Sequence, residues 1–351
     1  MLLASLIEDF DRHGYEQEIL YFHDGPIRHH VPKHITVRQV RGFFFRYDLL
    51  FFVRLYRMIK KSKPTVIHAS LWAACLFGRL IACLCKVPIV CVSHAQPHYG
   101  GKFRTIIDRL TAFLTDHMIA VSPPIAHSLI TMKLAHPAHL TIIPNGIDAP
   151  AFCRRAQEYQ LSRSMLEIAD TDFVIGSVGR LVPAKNYPLL IQAFSLLTSS
   201  YQQVRLIIVG TGPQEMLLRT QITSLNLEHR IHLITNNQFA FGYYALFDCF
   251  VYCSTIEWLS LALLEAMCSG IACIITTNDS DYPIGERAGN GITVTPYDPK
   301  AVADGVIRLM HDKELRVRLA EKSRYDSINK FNLNNMTNKY RSVFNNCAGV
   351  R

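Results

Sequence analysis

Two short apolar runs, separated by a compact helical segment, dominate the second half of the chain. The runs, 249–253 and 271–276, are continuously apolar, which is typical of strands buried on both faces of a parallel sheet. The segment between them predicts a helix over Leu261–Cys268, with Ser260 as its N-cap and Gly270 as its stop. This order of strand, helix and strand restricts the fold to a parallel sheet covered by helices.

The same alternation fills the rest of the chain and predicts an α/β fold. With 351 residues, of which 49% are hydrophobic, the chain is long enough for two domains with well-developed cores. In the first half, strand-like runs lie at 34–40, 65–69, 89–93, 118–121 and 140–143, and helical segments at 46–61, 71–85, 102–115 and 124–134. We expect doubly wound parallel sheets with helices on both faces.

Two glutamates stand in the otherwise apolar stretch that contains the helix over Leu261–Cys268. Glu257 falls in the loop after the first run, and Glu265 falls in the helix, with seven residues between the two acids. Ligands of open α/β sheets bind outside the carboxyl ends of the strands, and a helix start favours anions such as a diphosphate. A carboxylate there could accept hydrogen bonds from ribose or sugar hydroxyls. The alternative is one acid on a helix surface and one in a loop.

Three motifs in the second half together resemble a known family. Glu-x7-Glu running into Leu-Leu-Glu-Ala-Met-x-x-Gly is similar to the nucleotide-sugar half of retaining glycosyltransferases with the GT-B fold, family 4 type. The Gly-Arg-Leu-x-x-x-Lys pattern at 179–185 and the Val-Gly-x-Gly-Pro step at 209–213 match the same family. The resemblance implies two Rossmann-like domains facing a cleft. It covers nearly the whole chain and is strongest from 172 to 344.

The resemblance also implies roles for individual residues. Arg180 and Lys185 would bind the donor diphosphate and stabilise the charge of the leaving group, although they could instead be two solvated loop cations. Glu265 would hold the ribose, and Glu257 the donor sugar. His94, after the strand at 89–93, would contribute from the acceptor domain. The remaining contacts to the donor would come from the backbone at Gly210, Gly212, Leu259, Ser260 and Leu261.

The implied activity is transfer of a sugar from a nucleotide-sugar donor to a saccharide or lipid-linked acceptor, with retention, in surface polysaccharide or lipopolysaccharide synthesis. No metal or other cofactor is expected, and the Asn-Asp-Ser-Asp run at 278–281 is set aside as a metal motif. Trp258 departs from the family, which usually has glycine there, and 234–237 lacks the usual Leu-Gly that faces the base. The main alternative is an inactive or degraded homologue that only binds nucleotide sugar. A second is a retaining phosphorylase or sugar-phosphate synthase.

The domain boundary is placed at the turn-forming segment 144–148. An acceptor-side domain is expected over 1–148, and a nucleotide-sugar domain over 149–351, whose last helix returns to the first domain as in the family. The chain opens on a helical pattern, whereas the family begins with a strand and a glycine-rich loop. We therefore expect an incomplete N-terminal sheet, through a mis-assigned start or a degraded gene.

The formal net charge is +9, and the segment 28–63, with ten Lys or Arg and one acid, matches that whole excess. Phenylalanines at 43–45, 51 and 52 interleave with these cations. The pattern indicates either an anionic membrane surface or lipid-diphosphate partner, or a helix with one solvated basic face and one core face. No nucleic-acid motif accompanies the charge. Ten cysteines without a paired framework, no signal peptide and no membrane span favour a cytoplasmic protein, peripheral on the inner face of the membrane.

Overall fold

A computed structural model describes residues 2–23, 31–41, 49–93, 101–235, 239–255, 259–279 and 282–349. The helices are α1 (Leu2–Arg12), α2 (Leu49–Ser62), α3 (Trp72–Cys85), α4 (Gly101–Thr111), α5 (Pro123–Thr131), α6 (Ala149–Glu158), α7 (Tyr187–Leu197), α8 (Glu215–Ser224), α9 (Leu261–Cys268), α10 (Pro299–His311), α11 (Lys313–Asn329) and α12 (Leu333–Gly349). The strands are β1 (Glu18–Tyr21), β2 (Thr36–Gln39), β3 (Ile67–Ser70), β4 (Ile89–Ser93), β5 (His117–Ala120), β6 (Leu140–Ile142), β7 (Phe173–Val178), β8 (Val204–Val209), β9 (Ile231–Ile234), β10 (Cys249–Tyr252), β11 (Ala272–Thr276) and β12 (Ile292–Val294).

The chain divides into two compact units. The first contains Met1–Asn145 together with Leu333–Arg351, and the second contains Gly146–Asn332. Every ladder between the described strands is parallel, as the continuous apolar runs predict. The α/β fold with parallel sheets is therefore confirmed.

The second unit has a six-stranded sheet in the order β12-β11-β10-β7-β8-β9. Successive residues of a strand point to opposite faces, so each strand supplies both layers of the core. On β8, Leu206 and Ile208 pack in the layer that contains α7 and α10, while Ile207 and Val209 pack in the layer that contains α9. All four residues are fully buried, which explains why the strand is continuously apolar from Leu206 to Val209.

Strand order reverses at the β7–β10 pair of this sheet. From β7 the chain adds β8 and β9 on one side, and from β10 it adds β11 and β12 on the other. Because the connections leave in opposite directions, a crevice opens at the carboxyl ends of these two strands. The loops that follow β7 and β10 are thereby placed at the point where open α/β sheets bind ligands.

The described strands of the first unit form two separate parallel sheets, β1-β2 and β3-β4-β5-β6. The larger sheet packs on a core that includes residues from both ends of the chain. Phe10 of α1 and Tyr340 of α12 are buried in it, and Phe10 also contacts the ring of Phe344, with 5.1 Å between ring centroids. Arg341 of α12 forms an ion pair of 2.6 Å with Asp9 of α1. The C-terminal helix is thus an integral part of this unit's core.

The basic segment 28–63 is described over 31–41 and 49–63, and helix α2 forms most of the second part. Phe51, Leu55 and Ile59 are buried in one core cluster, whereas Arg57 and Lys61 are exposed on the other side of the helix. This arrangement matches the alternative of one core face and one solvated basic face. Phe43, Phe44 and Phe45 lie outside the described residues.

Candidate active site

The loop after β7 carries the two predicted diphosphate ligands and orients them differently. Arg180 is exposed, whereas Lys185 is only 7% exposed, at the end of a 3-10 turn over Pro183–Lys185. The Lys185 ammonium lies 5.1 Å from the centroid of the Tyr252 ring, and Tyr252 is the last residue of β10. A cation over an aromatic face is stabilised by the ring quadrupole. Lys185 is therefore held at the reversal point of the sheet and is not a solvated loop cation.

Hydrogen bonds fasten this loop to the loop that follows β10. The carbonyl of Ala184 accepts from the backbone amide of Thr255 at 2.9 Å and from the hydroxyl of Ser254 at 3.2 Å. Since Ala184 directly precedes Lys185, these bonds fix the backbone from which the lysine projects. The same β10 loop leads on to α9. The motif at 179–185 is therefore hydrogen-bonded to the loop that begins the glutamate motif.

The two glycines after β8 are required by close backbone packing against the β7 loop. A Cβ atom on Gly210 would lie 1.8 Å from the carbonyl oxygen of Gly179, and one on Gly212 would lie 2.4 Å from that of Leu181. In addition, the amide of Leu181 donates to the carbonyl of Thr211 at 2.8 Å. The glycines therefore bring the β8 loop against the backbone on both sides of Arg180, whatever they contact in a ligand.

Helix α9 begins and ends where the sequence predicts. The Ser260 hydroxyl accepts from the amide of Leu263 at 3.3 Å, and Gly270 ends the turn with a φ of 69°. Leu259 and Ser260 are buried, and Leu261 is half-buried. The capping fixes the entry of the chain into the helix, so that the first-turn amides point out of its N-terminus beside the β10 loop.

Glu265 is half-buried and is paired with a tyrosine. The hydroxyl of Tyr244, which is fully buried, donates to Glu265 Oε2 at 2.8 Å and lies 3.1 Å from the carbonyl of Ala262. Burial raises the pKa of Glu265 to about 7, against the opposing effect of this hydrogen bond. Burial and the Glu265 charge also raise the pKa of Tyr244 well above its ordinary value. The carboxyl group therefore changes charge near neutral pH.

Several predicted residues cannot be placed. Glu257, Trp258 and His94 lie outside the described residues, as do the two asparagines at 236 and 237. The roles predicted for Glu257 and His94 therefore stay predictions.

Within the described ranges, no group of three or more His, Cys, Asp or Glu side chains is arranged to hold a metal ion.

Two aromatic residues of the site were missed by the sequence reasoning. Tyr252 ends the apolar run at 249–253 and was treated only as part of a strand, and Tyr244 belongs to the 3-10 segment Ala240–Leu246. A signal for Tyr252 was present, because the last residue of a strand in an open α/β sheet lies beside the edge where ligands bind. Tyr244 offered no such signal, since its partner is 21 residues away.

Two family models match the chain, one on each side of the domain boundary. Glycosyltransferase Family 4 matches residues 2–149, and Glycosyl transferases group 1 matches residues 158–326. A crystal structure of HepE from Anabaena in complex with UDP superposes with a TM-score of 0.82 at 20% identity, covering 98% of this chain and 95% of that one. The fold and the loops at the sheet reversal thus define a GT-B protein with two Rossmann-like domains.

Curated relatives extend over most of the chain. The UDP-Gal:alpha-D-GlcNAc-diphosphoundecaprenol alpha-1,3-galactosyltransferase of Escherichia coli is 24% identical, covering 85% of this chain and 79% of the relative. The capsular polysaccharide biosynthesis glycosyltransferase CapM of Staphylococcus aureus is also 24% identical, covering 85% and 81%. Together with the two family models, these relatives show that the chain belongs to the GT-B glycosyltransferases of the family 4 type.

Proposed function

We propose that this protein transfers a sugar from a nucleotide-sugar donor to a saccharide or lipid-linked acceptor, with retention of the anomeric configuration. The observation that carries the proposal is the buried ammonium of Lys185, fixed at the carboxyl ends of β7 and β10. UDP-sugars are the first donors to test, because HepE was solved with UDP-glucose and the Escherichia coli relative is named for a UDP-galactose donor.

The chemistry follows from the charge of the leaving group. As the bond between sugar and diphosphate breaks, negative charge accumulates on the diphosphate. A fixed cation in a poorly solvated position stabilises this charge more strongly than the same cation in water. Lys185 would supply the fixed charge, and the exposed Arg180 would close on the diphosphate once the donor is bound. The N-terminal amides of α9 would complete the anion site.

The other contacts of the donor are assigned on the same basis. Glu265 would accept hydrogen bonds from the ribose, with Tyr244 holding the carboxylate in position. Glu257 would contact the donor sugar, and His94 would contribute from the acceptor side. The backbone after β8, at Gly210 and Gly212, would lie along the donor. Nothing in the comparisons favours the alternative of an inactive homologue.

We further propose surface polysaccharide or lipopolysaccharide assembly as the setting, on the inner face of the membrane. Both curated relatives described above carry names from polysaccharide or lipid-diphosphate chemistry. No helix in the described part of the chain is long and apolar enough to cross a bilayer. Contact with an anionic membrane surface through the segment 28–63 stays a proposal. The exposed cations of α2 support it.

The test is the variant Lys185→Met, which keeps an unbranched apolar side chain of similar size and removes the ammonium group. We expect kcat/KM for sugar transfer or donor hydrolysis to fall about 10²–10³-fold, the usual loss when one group that stabilises transition-state charge is removed. Lys300→Ala is the matched control, because Lys300 is an exposed lysine of the same unit that forms an ion pair with Asp304 on the surface of α10. A Lys185→Met protein with unchanged kcat/KM and donor affinity would refute the proposal.

A further inference from the structure

Helix α4 packs against the protein with its polar side. Asp108 forms an ion pair of 2.8 Å with the buried Arg79 of α3, which also donates to the hydroxyl of Thr111 at 3.2 Å. The guanidinium of Arg104 lies 4.9 Å from the Trp72 ring. Positions 104, 108 and 111 share one face of a helix, so this polar face is the one turned toward α3.

The opposite face of α4 is apolar and exposed to solvent. Phe103, Ile106 and Leu110 follow the i, i+3, i+7 spacing of a single stripe and are 61%, 56% and 69% exposed. Phe113, in the 3-10 turn Ala112–Leu114 that follows, is 81% exposed. No residue of α4 is buried. The usual orientation of an amphipathic helix is therefore reversed, which leaves a contiguous apolar surface that the described residues of the chain do not cover.

Cations surround this apolar stripe. Lys102 and Arg109 are exposed and lie beside it on the helix, and Lys86 lines a groove of about 450 Å³ whose wall includes Phe113. A second groove, of about 780 Å³, is lined by Phe113, Arg109 and Lys133. Asp116 is the acid that lines both grooves, and its carboxylate accepts from the amide of Ile89 at 2.8 Å.

The larger groove lies at the edge of the sheet where strands begin. It is lined by Pro88, which precedes β4, by His117, the first residue of β5, and by His139, which precedes β6. Substrates of parallel α/β sheets bind at the other edge, beyond the carboxyl ends of the strands. The grooves are therefore separate from the edge at which a sugar acceptor would bind.

We propose that this surface docks the protein on an anionic phospholipid bilayer. The docking face consists of the apolar residues Phe103, Ile106, Leu110 and Phe113 and the cations Lys86, Lys102, Arg109 and Lys133. The apolar stripe enters the boundary between headgroups and acyl chains, and the cations contact lipid phosphates, as in interfacial helices. A second copy of the chain fits less well, because two such faces would bring their cations together. The proposal concerns the first unit alone and does not rest on the transferase activity.

The test is sedimentation of the full-length chain with vesicles of phosphatidylcholine, with and without phosphatidylglycerol. We expect binding that requires the anionic lipid and weakens with salt. The variant Leu110→Ser/Phe113→Ser should bind at least about tenfold more weakly, since each buried CH₂ contributes about 0.8 kcal/mol. Lys86→Gln/Lys102→Gln should lose about 30-fold, because each Lys near an anionic surface contributes about 1 kcal/mol.

Two matched controls separate this face from other surfaces. Met216→Ser/Leu217→Ser removes exposed apolar side chains from α8, and Lys313→Gln/Arg318→Gln removes exposed cations from α11, both in the second unit. Both should bind vesicles like the parent chain. All altered side chains are exposed, so thermal midpoints and UDP affinity should not change. Absence of vesicle binding, unchanged binding of the docking-face variants beside lost binding of an Arg57→Gln/Lys61→Gln variant of α2, or a dimer that Leu110→Ser/Phe113→Ser converts to monomer would each overturn the proposal.

Discussion

At the scale of single residues, burial decides what Lys185 and Glu265 can do. Lys185 keeps its ammonium against the Tyr252 ring, and Glu265 keeps its carboxyl against the Tyr244 hydroxyl. Glu265 and Lys185 both belong to motifs that are recognisable in the sequence. Their aromatic partners, Tyr244 and Tyr252, are not recognisable there. In both cases the tyrosine sets the position of the charged group, so the tyrosines belong to the candidate site.

The Tyr244–Glu265 pair predicts a pH dependence of donor binding. The hydrogen bond from Tyr244 favours the carboxylate, so Tyr244→Phe should raise the pKa of Glu265 further above about 7. If the carboxylate accepts from the ribose, UDP affinity rises with pH as Glu265 ionises. The midpoint of that rise should lie near pH 7 in the parent chain and at higher pH in the variant. Calorimetric titrations across this range measure it.

The control for this experiment is Tyr201→Phe, which removes a hydroxyl that contacts His311 at 3.0 Å. Its affinity profile should match that of the parent chain. A Tyr244→Phe profile with the parent midpoint would show that Glu265 does not report on donor binding. A general loss of affinity without any shift along the pH axis would show that Tyr244 acts through packing only.

At the scale of elements, the site is a set of loops packed backbone to backbone. The loop after β7 is held by hydrogen bonds to the loop after β10 and by contact with the loop after β8. Glycines permit the second contact, because any side chain would occupy the space of a carbonyl group. Loops held in this way present a preformed site, which lowers the ordering cost of ligand binding.

Gly210→Ala tests this packing. The new methyl group would meet the carbonyl oxygen of Gly179 at 1.8 Å, so one of the two loops must move. We expect a loss of about 2–4 kcal/mol in the free energy of unfolding and a parallel loss of UDP affinity. Gly349→Ala is the matched control, because a methyl group there has no neighbour within 4 Å. Denaturant unfolding measures the first effect, and equal stabilities of the two variants would contradict the structure.

At the scale of the whole molecule, the C-terminal helix stabilises the unit that contains the N-terminus. Tyr340 is 3% exposed and lies in the core shared by α1 and β4, although it is more than 300 residues from α1 in sequence. The chain thus crosses from the first unit to the second and returns. Loss of α12 contacts should therefore destabilise the first unit and not the second.

Tyr340→Ala tests this organisation, with Lys339→Ala, at an exposed position of the same helix, as control. Removal of a buried aromatic ring typically costs about 3–5 kcal/mol. The chain has two tryptophans, Trp72 in the first unit and Trp258 in the second. In a Trp258→Phe background, Tyr340→Ala should lower the unfolding midpoint seen by Trp72 fluorescence. In a Trp72→Phe background, the Trp258 transition should stay in place, and an equal shift of both would contradict the prediction.

The sequence by itself determined the layers of the fold and the type of the site. Apolar runs of about four to six residues bounded by turn or helix signals are typical of strands buried on both faces, so the parallel sheets and most element bounds were predictable. Ser260 and Gly270 were predictable as the ends of α9, because capping is a local interaction. Arg180, Lys185 and Glu265 were identified as candidates by their spacing within family motifs.

Only the tertiary structure decided how those residues are used. Burial of Lys185 and the raised pKa of Glu265 depend on the packing of β7, β10 and the segment 240–246, which are distant in sequence. The reversed orientation of α4 was equally hidden, because its apolar stripe has the same spacing as a core-facing stripe. Periodicity shows that a helix has two faces, but which face turns inward depends on the side chains that neighbouring elements present, here Arg79 and Trp72.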